Sequence, residues 1–289
     1  MISLFDPIWH RWLGQPYRLA TAADSGSGQM VVLLHGIGRS GGVWRPVVAA
    51  LSRVGNCRVV AYDLLGFGDS PKPAWLNYAV DDHASSVIHS LLALHPRTPI
   101  VLVGHSMGCL VAVRVARRRP DLVKQLILYE MPLYDGLPDK RTYRLRLDLY
   151  FKLFEQITQL TPTFNPDTAG LVERLARRVV GAEINAETWQ PFIKSLQHTI
   201  MDQTAAADIQ TLDIPMDVIY GSRDMLVLRG KVARIFGTKA TNITVHTIRE
   251  RHVISPKASQ FLVDRISAAL AATTNKAGHS RLRDILRAA

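Results

Sequence analysis

The stretch VLVGHSMGC, residues 101–109, sets Ser106 in a Gly-x-Ser-x-Gly pattern, after an apolar β-branched run and before a helix-like one. A serine at that junction sits on a strained strand-to-helix turn, and Gly104 and Gly108 are the small neighbours such a turn requires. The turn lifts the hydroxyl clear of the backbone and points it into the field of the following helix N-terminus. A serine hydroxyl is a weak nucleophile. It needs a base to take its proton, and the base needs an acid to orient it. Of the ten histidines, His252 in TIRERHVIS lies just past the last expected strand. Asp224 in YGSRDML follows the preceding strand, at a Gly-x-x-Asp turn. The order Ser106, Asp224, His252 puts all three at the carboxyl ends of adjacent parallel strands, where open α/β sheets build their sites.

The elements that must position them are legible as period and punctuation. Six β-like runs recur: Met30–Leu34, Arg58–Tyr62, Ile100–Val103, Gln125–Tyr129, Met216–Tyr220 and Ile243–Ile248. Most are continuously apolar, as strands buried on both faces are. Helix-like segments at about 43–53, 80–94, 107–119, 229–236 and 256–271 separate them. The alternation predicts an α/β fold with a mostly parallel central sheet flanked by helices. One connection, from Tyr129 to Met216, is far longer than a crossover needs. It predicts a helical cap insertion over 133–213, between core segments 1–132 and 214–289. Tyr143, Leu147, Tyr150, Phe154 and Ile157 mark one of its helices, and further helices are expected over about 168–180 and 186–200, the last with Trp189, Phe192, Ile193, Leu196 and Ile200. Most of these aromatics are expected to pack the insertion onto the main domain.

The first expected strand ends in LLHGIGRSG. A His-Gly-x-Gly loop there can turn the Ile37 N–H toward the serine, and with the Met107 N–H it would form an oxyanion hole. Taken together, these features resemble the α/β-hydrolase family, over residues from about 30 to 271, with the insertion where that family carries its cap. YDLLGFGDSPKP, residues 62–73, is similar to the family's Asp-x-x-Gly-x-Gly-x-Ser loop and reads as structural, with Gly66 and Gly68 for turn geometry and Asp63 for a local hydrogen bond. His35 and His105 match family positions that support loops. The chain departs from the family at two places. Arg251 stands where relatives carry glycine before the histidine. Glu130 follows the strand ending at Tyr129, where some relatives carry the triad acid, and is the alternative acid here. Branches of the family that use an aspartate nucleophile are disfavoured by Ser106.

Composition limits the classes. The chain has 289 residues, 47% of them hydrophobic, enough for a sizeable core. The formal net charge is +11, but the basic residues are scattered without a nucleic-acid motif, so no nucleic-acid partner is expected. Arg117, Arg118 and Arg119 read as the cationic end of a helix before Pro120. Cys57 and Cys109 lie in apolar stretches and read as buried thiols, which favours a reducing, cytoplasmic location. No secretory signal or integral membrane segment is expected. Trp9 and Trp12 are expected to pack on the core. Leu282, Ile285 and Leu286 in the terminal segment are spaced as in a short amphipathic helix, and weak membrane-surface association is the minor reading for it.

The expected activity is a serine hydrolase cleaving a small-molecule carboxylic ester with an apolar acyl group, with no metal and no organic cofactor. Two alternatives stay open: hydrolysis of a carbon–carbon bond in a diketone-like substrate, and a non-catalytic binding protein on the hydrolase scaffold. Oligomeric state is not legible.

Overall fold

Buried residues alternate along the strands and sort themselves into two cores, one on each face of a single sheet. The computed structural model describes residues 8–133, 170, 173–174, 177, 181–224, 226–227 and 241–287. Seven strands lie in the order β1-β3-β2-β4-β5-β6-β7: β1 (Thr21–Gly26), β2 (Gln29–Leu34), β3 (Cys57–Tyr62), β4 (Ile100–His105), β5 (Val123–Tyr129), β6 (Met216–Gly221) and β7 (Ile243–Ile248). All pairs from β3 through β7 are parallel, and β1 alone runs antiparallel, on β3. The helices are α1 (Arg45–Val54), α2 (Val80–Leu92), α3 (Met107–Arg118), α4 (Ala186–Ser195), α5 (Ala205–Gln210) and α6 (Pro256–Arg287).

Period two along the strands gives the layers. Val31, Leu33, Val59, Ala61, Val101, Val103 and Ile127 face α1 and α6, where Trp44, Val47, Leu51, Leu262 and Ile266 complete one core. The intervening Val32, Leu34, Val60, Leu102, Leu126 and Leu128 face the other way, into a core with Val87 and Leu91 of α2 and Leu110 and Val113 of α3. Local chemistry ends the helices. Gly55, at φ 74°, terminates α1. The Asp82 side chain accepts the Ala79 N–H at the start of α2, 2.9 Å. Arg117 and Arg118 sit in the last turn of α3, where cations complement the carbonyl end.

The structure corrects the expectations in three places. The sheet has a seventh strand, β1, whose sequence TAADSG is polar and half exposed. Trp9 and Trp12 do not pack on the core: they are 55% and 83% exposed. The helix expected over 186–200 is α4 followed by a π-helical turn, Leu196–Met201. The helix carrying Tyr143 to Ile157 and the one at 229–236 lie outside the described residues. Both cysteines are buried free thiols. Among the described residues no helix is long and apolar enough to cross a membrane.

The Asp63 loop is held from within. Its carboxylate accepts the Gly41 N–H at 2.6 Å and the Asp69 N–H at 2.8 Å. Ser70 Oγ donates to the Asp63 carbonyl at 2.6 Å and accepts the Ala20 N–H at 2.8 Å. At Gly68, φ +51°, an added Cβ would fall 2.2 Å from the Asp63 carboxyl. Asp63→Ala strands the buried Gly41 N–H and the part-buried Asp69 N–H, at about 1–3 kcal/mol for a buried donor. We expect urea unfolding to show a loss of about 3 kcal/mol, and a loss below about 1 kcal/mol would show that the carboxylate does not hold this loop.

Candidate active site

Ser106 stands between β4 and α3 at φ 54°, ψ −123°, a conformation that L-residues rarely adopt and that clusters at functional positions. The flanking glycines are a steric requirement. A Cβ on Gly104 would fall 2.6 Å from Cys109 Cα and N, and one on Gly108 would fall 2.4 Å from the Leu34 carbonyl oxygen. The Ser106 N–H donates to the Tyr129 carbonyl at 2.9 Å. Cys109 Sγ lies 3.1 Å from the Gly104 carbonyl and 3.2 Å from that of Tyr129, so its thiol braces the same turn.

The structure brings Ser106, His252 and Asp224 into one hydrogen-bonded chain. His252 Nδ1 lies 2.6 Å from Asp224 Oδ2, and His252 Nε2 lies 2.8 Å from Ser106 Oγ. All three residues are buried. A carboxylate can only accept, so Nδ1 carries the imidazole proton and Nε2 presents its lone pair to the serine hydroxyl. Asp224 Oδ1 accepts the Leu226 N–H at 2.7 Å. Burial would raise the Asp224 carboxyl, but the His252 hydrogen bond overrides it and holds the group down at about 2.

Glu130 enters the same cluster without touching the imidazole. It is fully buried at a positive φ of 53°. Its Oε1 accepts the Gly221 N–H at 2.7 Å, and its side chain hydrogen-bonds to Asp224. Burial first, then the neighbouring Asp224, pushes its carboxyl up to about 11. Glu130 is therefore a neutral acid beside an ionised one. Ligand-type atoms of Glu130, Asp224 and His252 lie within 4.8 Å of one another, a set that could in principle hold a metal ion. In this arrangement His252 Nδ1 and Glu130 Oε1 are already engaged by Asp224 and Gly221.

The loops are tied to one another. His105 Nε2 donates to the His252 carbonyl at 3.0 Å, and Tyr129 Oη to the Val253 carbonyl at 3.1 Å. The Arg223 N–H reaches the Glu250 carbonyl at 2.9 Å, linking the Asp224 and His252 loops. Arg251 is exposed and its backbone is not left-handed, so this loop does without a glycine there. His35 braces the first loop: Nδ1 donates to the Gly36 carbonyl at 2.8 Å and Nε2 accepts the Leu64 N–H at 2.7 Å. The supporting contacts of Tyr129 and Cys109 were missed by sequence reasoning, and no local pattern marks them.

Ile37 is buried in the loop beside Ser106, where a Cβ on Gly36 would come within 3.0 Å of Ser106 Cβ. Met107 opens α3, so its N–H has no intrahelical acceptor. The described part of the insertion rests on this loop. The Glu183 N–H donates to the Gly38 carbonyl at 2.7 Å, and Arg39 donates to the Gly181 carbonyl. A Cβ on Gly38 would fall 2.5 Å from Ala182 Cβ and 3.2 Å from the Phe192 ring. Trp189, Phe192, Leu196 and Ile200 are buried in the core that holds Ile37 and Met107.

Comparison with known proteins adds the lineage. A family model described as alpha/beta hydrolase fold matches residues 29–255. A protein named "Probable lysophospholipase BODYGUARD 4" from Arabidopsis thaliana is 34% identical over 104 residues, 36% of this chain and 25% of that one. The chain thus spans about a quarter of the length of these curated relatives. Among solved structures, a bacterial membrane phospholipase A superposes with a TM-score of 0.65 at 22% identity, covering 95% of this chain and 94% of that one. A haloalkane dehalogenase variant from Bradyrhizobium elkanii gives 0.66 at 19% identity, covering 89% and 99%.

The buried titratable groups set a pH profile of stability. Burial holds His35 down at about 4, and His83 and His105 at about 3, from an ordinary 6.5. The unfolded chain therefore binds more protons, so the stability tied to these histidines is full above 6.5 and lost as pH falls toward 4. Glu130, raised from 4.5, has the opposite sign: its contribution is full below 4.5 and lost as pH rises toward 11. Between pH 4.5 and 6.5 three histidines oppose one carboxyl, and stability should rise with pH, by ~1.4 kcal/mol per unit for each net proton. From pH 7 to 8.5 Glu130 alone remains of these, and stability should fall. Urea titrations should peak near pH 7, and Glu130→Gln should flatten the alkaline limb while sparing the acid one. An alkaline limb unchanged in Glu130→Gln would show that Glu130 is not the proton carrier.

Proposed function

Because the chain belongs to the alpha/beta hydrolase fold family, we propose that it is a serine hydrolase that cleaves a carboxylic ester with an apolar acyl group. The observation that carries this reading is the continuous path from Asp224 through His252 to Ser106 Oγ. His252 takes the Ser106 proton as Oγ attacks the ester carbonyl carbon. Asp224 keeps the imidazole in the right tautomer and stabilises the imidazolium that forms. The Ile37 and Met107 N–H groups receive the negative charge that develops on the carbonyl oxygen. The tetrahedral intermediate collapses, the alcohol leaves with the proton from His252, and the acyl group stays on Ser106. Water, deprotonated by His252, then attacks the acyl-enzyme and releases the acid. No step requires a metal or organic cofactor.

The apolar preference is supported by the cluster of Ile37, Met107, Ala182, Ile184 and Phe192, where an ionised acyl chain would lose its water uncompensated. The lysophospholipase name of the Arabidopsis relatives points the same way, since such a substrate is a fatty acyl ester. The residues 133–213 act as the cap in this reading. Two buried free thiols favour a reducing compartment, and we place the protein in the cytoplasm.

An activity-based phosphonate should label Ser106 in the folded chain. Ser106→Ala, His252→Ala and Asp224→Asn should each lower kcat by on the order of 10⁴. Glu130→Gln, whose amide matches the shape and charge of a protonated carboxyl, should stay within about tenfold of wild type, roughly 1.4 kcal/mol. Folded protein that resists labelling at high phosphonate concentration would replace the enzyme by a binding protein, and the reverse ranking of Asp224 and Glu130 would move the orienting acid to Glu130.

Substrate charge gives a separate test. At equal chain length, neutral esters should exceed dicarboxylic monoesters in kcat/KM by at least about tenfold, the equivalent of roughly 1.4 kcal/mol. A preference for the dicarboxylic series would overturn the apolar assignment.

A further inference from the structure

Five large apolar side chains stand exposed at the start of the chain and in the loop before α2. Ile8 is 52% exposed, Trp9 55%, Trp12 83%, Leu13 58% and Trp75 37%. The two segments form one surface: Tyr17 packs against Trp75 with ring centroids 6.1 Å apart, and His10 stacks on Tyr17 at 3.7 Å. A short π-helical turn, Ile8–Trp12, displays the first residues. Arg11 and Arg18 stand exposed on the first segment, which carries no acidic side chain over residues 8–20; on the second, Lys72 is tied to the Gly68 and Ser70 carbonyls and Asp69 is exposed just before it. Isolated exposed apolar residues are ordinary, but three exposed tryptophans on two segments joined through Tyr17 are not.

We infer that this surface docks the protein on an anionic lipid membrane. Tryptophan rings settle at the headgroup level, where the ring is buried and the indole N–H stays near polar groups, and lysine and arginine beside them meet anionic headgroups. The charge leans one way: two exposed arginines, Arg11 and Arg18, and an overall charge of +11 favour a negative surface. A soluble protein partner would use the aromatics but would not require the excess of positive charge. The placement also fits delivery to a site. Lys194 of α4 donates to the carbonyls of Ala74 and Leu76, both at 2.8 Å, so the Trp75 loop is fastened to the insertion that rests on Gly38. The inference stands whether or not Ser106 is a nucleophile, because none of its residues belongs to the catalytic cluster.

The test is co-sedimentation of the full chain with vesicles of phosphatidylcholine, with and without phosphatidylglycerol. Binding should be at least about tenfold tighter on the anionic vesicles and should weaken with added salt. Tryptophan fluorescence supplies a readout without substitutions. Trp9, Trp12 and Trp75 are exposed, whereas Trp44 and Trp189 are buried, so brominated acyl chains should quench part of the emission on binding. Trp9→Ser with Trp12→Ser, checked for native circular dichroism, should lose that quenching and most of the affinity while keeping hydrolysis of a water-soluble ester. Wild-type protein that neither sediments nor is quenched would overturn the inference, as would undiminished binding by the double variant. A concentration-dependent dimer that the double variant abolishes, without vesicle binding, would reassign the surface to a second copy of the chain.

Discussion

Everything in the site depends on the parallel register of β5 with its two neighbours. His105 pairs with Tyr129 on one side and Tyr129 with Ile219 on the other. That alignment brings three loops to one end of the sheet. Tyr129 then serves them directly: its carbonyl accepts from the Ser106 N–H and its hydroxyl reaches the carbonyl of Val253. The next residue, Glu130, donates its N–H to Ile219 and accepts from Gly221. A slip of one residue would turn every side chain of β5 to the opposite face. It would also remove the anchor of the Ser106 turn and of the His252 loop together.

The charge balance of the cluster follows from the same crowding. Two carboxyls and one imidazole share a space from which water is largely excluded, and two adjacent negative charges there would repel strongly. Asp224 has the better compensation, with the imidazole and a backbone N–H on its two oxygens. Glu130 has one backbone N–H and no cation, so it retains the proton and shares it in a hydrogen bond with Asp224. The site thus carries one negative charge rather than two. His35 and His105 stay neutral for a related reason: burial disfavours their cations, and each has a fixed donor role that the neutral ring can fill.

The legible features were those that local sterics and periodicity impose. Gly104 and Gly108 announce the Ser106 turn because no side chain fits at either place. β2 to β6 announce themselves because a doubly covered strand is mainly apolar, whereas β7, half exposed at the sheet edge, is marked by its β-branched residues. β1 gave no such signal: at the sheet edge it buries little, and its ladder with β3 is made by backbone. Asp224 and His252 could be picked out by their place after successive strands, whereas the neutral state of Glu130 depends on a neighbour distant in sequence. The bracing by Tyr129 and Cys109 was illegible for the same reason. Arg251 shows a departure from the family that needs no compensation, since its side chain points to solvent and its φ is ordinary. Trp9 and Trp12 misled because apolar composition alone does not say which side of the surface a ring occupies.

The position of β5 in the middle of the sheet has a consequence for synthesis. Its partner β4 precedes it in the chain, but β6 comes only after the whole insertion. A nascent chain that has emerged as far as Tyr129 can assemble β1 to β5 and then holds β5 as an edge, apolar on both faces with a row of open backbone groups. Such an edge is a template for pairing with other chains. Chaperone demand should therefore be greatest while residues 130–215 are being translated, and it should end when Met216–Gly221 closes the ladder. Premature termination within that window would produce an aggregating fragment rather than an inactive soluble one.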